Sequence, residues 1–309
     1  MEMEKLRIVS VEDELTNATL MDFPVHCVYR TTSLEQPNFH AHRGYELYLC
    51  VQGEGHFIVG ERMHVLGAGT FTVIKPMALH LSRPDQGVPF HRYILAIERS
   101  YLEQLYVKDR ECWMTIRQWL PDVENDSIHS QLNTQQILRL QEILAQLEWE
   151  TKKKQPCYPI IVKSLLLQLF AQLGRYQNLS PEVVQVRNDA EKHIVEGMLN
   201  YMIEHYDESL SAEKLCGHFH VSRSYFFRIF KQHTGVTMNE FLVSIRMTKA
   251  KDLLQETDLP IIEIAGDVGF QDVSHFCNTF KRLTGMTPSR YRTLHTAINF
   301  PIPPSTKRE

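Results

Sequence analysis

Apolar and polar positions along the 309-residue chain fall into three successive rhythms. Between about 23 and 97 they alternate in short runs broken by Gly53, Gly55, Gly60, Gly67 and Gly69. Strand side chains point to opposite faces in turn, so this pattern predicts short strands closing into a barrel or sandwich. Between about 98 and 177 the period lengthens. Ile137, Leu140, Leu144 and Leu147, then Val162, Leu166, Leu169 and Leu173, recur every three or four residues, which predicts two amphipathic helices. Lys152, Lys153, Lys154 and Pro156 mark the end of the first. Residues 178–189, with Ser180 and Pro181, read as a linker. Everything beyond is helical. The expected fold is α+β in two domains: strands over 1–97 with helices over 98–177, then an all-α domain over 190–293 and a tail over 294–309.

The last zone repeats itself. SYFFRIFKQHTGVT (224–237) aligns without a gap, fifty residues on, with SHFCNTFKRLTGMT (274–287), and half of the positions are identical. Phe226, Ile229 and Phe230 in one copy, and Phe276, Phe280 and Leu283 in the other, fall at helical spacing. Gly235 and Gly285 follow as helix stops. Ser222 and Asp272 are natural N-caps for these helices, Ser211 caps a short helix before the first, and Pro260 suits the first turn of one before the second. A helix over 241–255 connects the copies. Helix, tight turn, helix, twice over, is the grammar of paired helix-turn-helix units.

Composition narrows the class. Hydrophobic residues make up 43% and charged residues 23%, ordinary for a soluble globular protein. The charged start carries no signal-peptide core, and the apolar stretch 160–173 is interrupted by Lys163 and too short to span a bilayer, so no membrane partner is expected. The six cysteines form no CxxC pair, which fits a reducing cytoplasm rather than a disulfide framework. Net charge is −4, yet positive charge is concentrated. Arg223, Arg228, Lys231, Arg246, Lys249 and Lys251 meet only Glu240 within 223–251, and Lys281, Arg282, Arg290, Arg292, Lys307 and Arg308 meet no acidic residue within 281–308. Two basic segments on an acidic chain suit two DNA-facing elements, or two solvated helix faces.

Residues 190–293 resemble the DNA-binding domain of the AraC/XylS family of transcriptional regulators. The likeness is carried by SRSYFFRIFK (222–231), Arg246 with Ala250, Leu253 and Leu254, IIEIA (261–265), VGFQDVSHFCNTFKR (268–282) and TPSRYR (287–292). Cys216 stands where the family usually has Ala. The resemblance implies that the second helix of each unit enters a major groove, the two grooves lying ~34 Å apart on one face of the duplex. The groove-facing side chains would then be Arg223, Ser224, Phe227 and Arg228 in the first unit and Ser274, His275, Asn278 and Arg282 in the second. Arg228 suits a guanine edge, Asn278 an adenine and Phe227 a thymine methyl. Lys231 and Lys281 suit phosphates. Phe227 is equally suited to packing on the connecting helix, and Arg246 is structural by the same resemblance.

The strand zone contains FHAHRGYE (39–46), then Gly53, Gly69 and PMALH (76–80). This is similar to the two cupin motifs, although a glycine after Pro76 is missing. His40, His42 and Glu46 share parity, so on one continuous strand they face one side, and His80 on a neighbouring strand completes a set able to hold a divalent metal. Three roles are open: an organic effector bound without metal, as in AraC-type regulators, a bound metal, or packing. Tyr48 and Arg92 are further effector-site candidates. No cofactor is required on this reading.

The resemblance therefore implies a cupin-like effector-binding barrel, a helical dimerisation region, whose stripes over about 133–177 suit packing on the barrel equally, and a double helix-turn-helix. The expected function is sequence-specific transcriptional regulation, activating through RNA polymerase, as a homodimer on double-stranded DNA. The expected small-molecule effector is a carbohydrate. The rival from another class is a metal-dependent cupin enzyme with a DNA-binding appendage.

Overall fold

The computed structural model describes residues 13–31, 39–85, 87–106, 114, 116–122, 125–176 and 190–299. Helix α1 (Glu14–Asp22), capped by Asp13, leads into β1 (Val25–Arg30), β2 (Gly44–Gln52), β3 (Gly55–Val59), β4 (Arg62–Leu66), β5 (Thr70–Ile74), β6 (His80–Pro84) and β7 (His91–Glu98). Then come α2 (Arg99–Tyr106), β8 (Ser127–Gln131), α3 (Thr134–Lys153) and α4 (Tyr158–Arg175). The strands pair antiparallel in two sheets, β1-β7-β2-β5-β8 and β4-β3-β6.

Alternation along the strands sorts the core into layers. Tyr48 and Cys50 of β2 join Phe57, Val59, Leu66, Ile74 and Phe90 in one buried cluster drawn from both sheets, so the sheets face each other across a lumen. Leu47 and Leu49, with Phe71, Val73, Leu95 and Ile97, face out of the larger sheet. There Leu140, Leu144 and Leu147 of α3 and Val162, Leu166, Leu169 and Leu173 of α4 join the same cluster, α3 lying on β1 and β7 and α4 packing against α3. Burying one such side chain is worth ~1.5–3 kcal/mol, so both helical stripes are consumed in holding α3 to the sheet and α4 to α3. α3 opens with a capping box, Asn133 and Gln136 each satisfying the other's backbone N–H, and stops at left-handed Lys154.

The C-terminal helices are α5 (Ala190–Glu204), α6 (Ala212–His218), α7 (Arg223–Thr234), α8 (Met238–Glu256), α9 (Ile261–Asp267), α10 (Val273–Thr284) and α11 (Pro288–Asn299). Ser211, Ser222 and Asp272 accept the N-cap hydrogen bonds expected of them, and Gly235 (φ 76°) and Gly285 (φ 74°) end α7 and α10 in the left-handed region that glycine tolerates. Phe226, Ile229, Phe230, Phe276 and Phe280 are buried in one core. That core extends into the N-terminal half: Phe39, Ile58, Met63, Leu79 and Leu81 belong to it. The small sheet therefore lies between the lumen and the C-terminal helices.

Several expectations need correction. The zone 98–177 is not wholly helical, because β8 pairs with β5 from Thr70↔Gln131 to Ile74↔Ser127. SIHSQ has one apolar residue and no alternation of its own, so only the free edge of β5, distant in sequence, makes it a strand. The segment carrying His40 and His42 is not continuous with β2. It pairs with His80 as an isolated bridge and bends before β2 begins at Gly44. A Cβ at Gly44 would come within 2.8 Å of Ile97 O, so that close approach needs glycine. Pro260 occupies the N-cap of α9, not its first turn. Helix α11 runs to Asn299, into the stretch expected to be tail. The linker 178–189 and residues 300–309 lie outside the described residues.

Candidate functional site

The six residues expected to line the lumen are all buried: His40, His42, Glu46, Tyr48, His80 and Arg92. Glu46 and Tyr48 arrive on alternate positions of β2. His80 opens β6 and is tied to His40 by reciprocal backbone bonds, His40 N–H to His80 O at 3.0 Å and His80 N–H to His40 O at 2.9 Å. The turn before β6 is fastened by Met77 N–H donating to His42 O at 2.8 Å. The bridge thus gathers, without a continuous strand, what strand parity was expected to gather.

Three ligand-capable atoms from His40, Glu46 and His80 lie within 4.8 Å of one another. His42 stands beside this trio, its Nε2 hydrogen-bonded to Glu46 Oε2 at 2.8 Å. His80 Nδ1–H donates to Ala78 O at 2.9 Å, and its Nε2 faces Glu46 Oε2, 3.6 Å away. His80 Nε2 is buried with no hydrogen-bond partner. An orphaned imidazole nitrogen facing a carboxylate and a second imidazole is a donor set that fits a divalent ion. Burial, then the His80 charge, pushes His40 down to about 3. Burial opposes ionisation of Glu46, but the His80 charge and the His42 hydrogen bond outweigh it and hold the carboxyl well below its usual range. Burial disfavours His80 protonation too, and Glu46 outweighs it, raising His80.

Deeper in the lumen the Tyr48 hydroxyl bonds Ser82 Oγ at 2.9 Å, its ring 4.6 Å from Phe57, and the Arg92 guanidinium lies over Phe90 at 5.2 Å. Sequence reasoning missed Ser82, whose partner is visible only once β2 and β6 are packed. It also missed a cleft of about 840 Å³ outside the barrel, lined by Lys75, Arg99, Glu103, Arg117 and Asp122 among others, whose walls come from distant segments.

The residues expected to meet DNA are the converse. Arg223, Ser224, Phe227, Arg228 and Lys231 on α7, and Ser274, His275, Asn278, Lys281 and Arg282 on α10, are all exposed. Phe227 is 38% exposed, with Arg223 over its ring at 5.7 Å. Arg223 also pairs with Glu213 at 2.7 Å, and Arg228 with Glu191 of α5 at 2.9 Å. The two units are held in register by Arg246, whose Nε and Nη2 donate to Tyr206 O (2.7 Å) and Glu208 O (2.8 Å). Gly269 (φ 83°) seats against the same spot, where a Cβ would come within 2.7 Å of Asp207 O.

The barrel meets the first unit directly. The Phe39 ring lies 4.9 Å from that of Phe241 in the first turn of α8. Met63 N–H donates to Glu196 of α5 at 3.1 Å. The Arg83 guanidinium lies over Gly235, where it faces the carbonyl end of α7. Beside this seam, His64 and His129 stack at 4.5 Å, bonded to Ser127 and Thr72 respectively. Burial, then neighbouring positive charge, lowers them to about 3 and about 4.

A barrel with a buried polar centre, docked on two capped helix-turn-helix units with exposed reading faces, defines a ligand-binding DNA-binding protein. Residues 25–185 match the AraC-like ligand binding domain and residues 215–293 match a helix-turn-helix domain. The chain belongs to the AraC/XylS family of transcriptional regulators. It is 26% identical over 253 residues to the HTH-type transcriptional activator RhaR of Cronobacter sakazakii, covering 82% of this chain and 86% of that one. It is 26% identical over 289 residues to the uncharacterized HTH-type transcriptional regulator YfiF of Bacillus subtilis, covering 89% and 85%. Among solved structures, ToxT from Vibrio cholerae is similar over 88% of this chain and 98% of that one, with 16% identity and a TM-score of 0.36. No helix among the described residues is long and apolar enough to cross a membrane.

Proposed function

We propose that this regulator is a sequence-specific activator that responds to a carbohydrate held in its barrel. One contrast carries the reading: the ten candidate reading residues are exposed on two equivalent helices, while the six candidate effector residues are buried around one centre. Carbohydrate recognition is supported by that centre, where Glu46, the histidines, Ser82 and Arg92 offer donors and acceptors beside the faces of Tyr48 and Phe57. Activation, with RNA polymerase as partner, is supported by relatives named as transcriptional activators. A homodimer is supported by Ile160 (70% exposed), Ile161 and Leu167, apolar side chains on α4 left over from its packing against α3. A cytoplasmic setting is supported by the free cysteines Cys27, Cys50, Cys157, Cys216 and Cys277.

The effector acts by its differential affinity for two arrangements of barrel and reading helices. The test is selection of duplexes from a random pool by the full chain, then transcription from the selected site with RNA polymerase and a panel of sugars. The reading expects a site with two blocks about one helical turn apart and a sugar-dependent rise in transcript. Equal retention of every duplex would overturn it.

A further inference from the structure

We propose that Glu191 of α5 is a specificity-determining residue, which pins the Arg228 guanidinium so that it reads a base in preference to binding any phosphate. The proposal rests on α7 being a base-reading helix, as set out above, and is independent of what the barrel binds.

Arg228 is held in place by its own protein. Its Nη2 donates to Glu191 Oε1 at 2.9 Å, its Nη1 donates to Gln232 Oε1 at 3.1 Å, and its guanidinium lies 5.0 Å from the centre of the Tyr225 ring. Glu191 is anchored in turn. It sits in the first turn of α5, where the helix dipole favours a negative charge. The Arg228 hydrogen bond holds its carboxyl below the usual range, and Tyr225 bonds to it as well. His233 Nε2 lies 3.5 Å from its other oxygen. Val195, Met198 and Leu199 of α5 share one buried core with Phe226 and Ile229 of α7, so the two helices that carry the pair are packed together.

A bare arginine on a DNA-facing helix is drawn to every phosphate, and that pull carries no sequence information. Glu191 offsets the charge at the guanidinium itself and weakens the pull. It also keeps a flexible side chain in one pose, so less rotamer freedom is lost on docking. The guanidinium retains enough donors for a two-pronged bond to guanine O6 and N7, a bond that depends on direction as well as charge. The device recurs on the same helix, where Arg223 Nη1 donates to Glu213 of α6 at 2.7 Å. α10 lacks it: among the described residues, the side chains of Lys281 and Arg282 have no hydrogen-bond or ion-pair partner. The second unit therefore keeps its charge open to phosphates, while the first directs its charge at bases.

Binding of the full chain is measured by fluorescence anisotropy across salt, on a selected duplex, on its single-base-pair variants and on a random-sequence duplex. Glu191→Gln keeps the side chain's shape and removes its charge. It should tighten random-duplex binding at least ~2-fold and steepen the salt slope by up to about one unit. Discrimination should fall at least ~5-fold at one base pair, the same one that Arg228→Ala relaxes. In the Arg228→Ala background Glu191→Gln should change nothing further. The Arg228 and Glu191 side chains are 53% and 29% exposed, and exposed ion pairs add little to folding, so the unfolding midpoint should stay in place. Glu191→Ala provides a second variant should the first not fold. A sequence-blind loss of affinity, an unchanged base preference, or an effect that persists without Arg228 would overturn the role of Glu191. If Arg228→Ala relaxed no position, the base-reading role of α7 would fall and this proposal with it. An inert sugar panel would sink only the carbohydrate reading.

Discussion

Acidification should loosen the molecule through two histidines that lie outside the His40, Glu46 and His80 cluster. His64 is held near 3 by burial, then by His129, Lys192 of α5 and Arg62, and His129 near 4 by burial and then Lys192, both below the ordinary value of 6.5. The unfolded chain takes up a proton on each near pH 6.5, and the folded chain does not. Stability is therefore present above pH 6.5 and is lost as pH falls toward 4. Between pH 7.5 and 5.0 the loss is about 2 kcal/mol for each histidine, following the proton-linkage slope of ~1.4 kcal/mol per pH unit. His80 has the opposite sign, since its raised value adds stability that fades as pH rises. Chemical denaturation of the wild type and of a His64→Gln/His129→Gln variant isolates the pair. At pH 7.5 the variant should be the less stable, having lost the ring stack and the bonds to Ser127 and Thr72. By pH 5.0 that deficit should shrink by several kcal/mol or reverse. Parallel stability curves for the two proteins would refute the reasoning.

Two further perturbations probe the reading helices. Arg228→Ala should relax base preference at one operator position at a cost of ~1–3 kcal/mol, whereas Lys281→Ala should weaken all duplexes alike and lower the salt slope by about one unit, both measured by fluorescence anisotropy across salt. Equal, sequence-blind losses would refute the division of roles. Asp272→Ala removes the carboxylate that caps α10 through His275 N. It should cost ~1 kcal/mol in thermal unfolding, with Asp272→Asn nearly silent.

The C-terminal half was legible because its signals are local. A cap, an aromatic pair at helical spacing and a glycine stop repeat in one register, so α7 and α10 follow from fourteen residues each. The lumen was legible in its residues and not in its backbone. Nothing in FHAHRGYE announces that the chain breaks before Gly44, because the partner of His40 lies forty residues on, in His80. β8 was hidden for the same reason, and so was Ser82. The ion pairs of Arg223 with Glu213 and Arg228 with Glu191 depend on how α6 and α5 lean against α7. No spacing rule within one helix predicts them.

Ile58, Met63 and Leu81 face out of the small sheet and are dry only because the C-terminal helices cover them. The two halves are thus fitted to one another and do not behave as interchangeable cassettes. A chimaera that grafts a foreign reading domain onto this barrel inherits a bare greasy wall unless the graft brings a matching face. Such hybrids should be redesigned at those three residues before their regulation is interpreted.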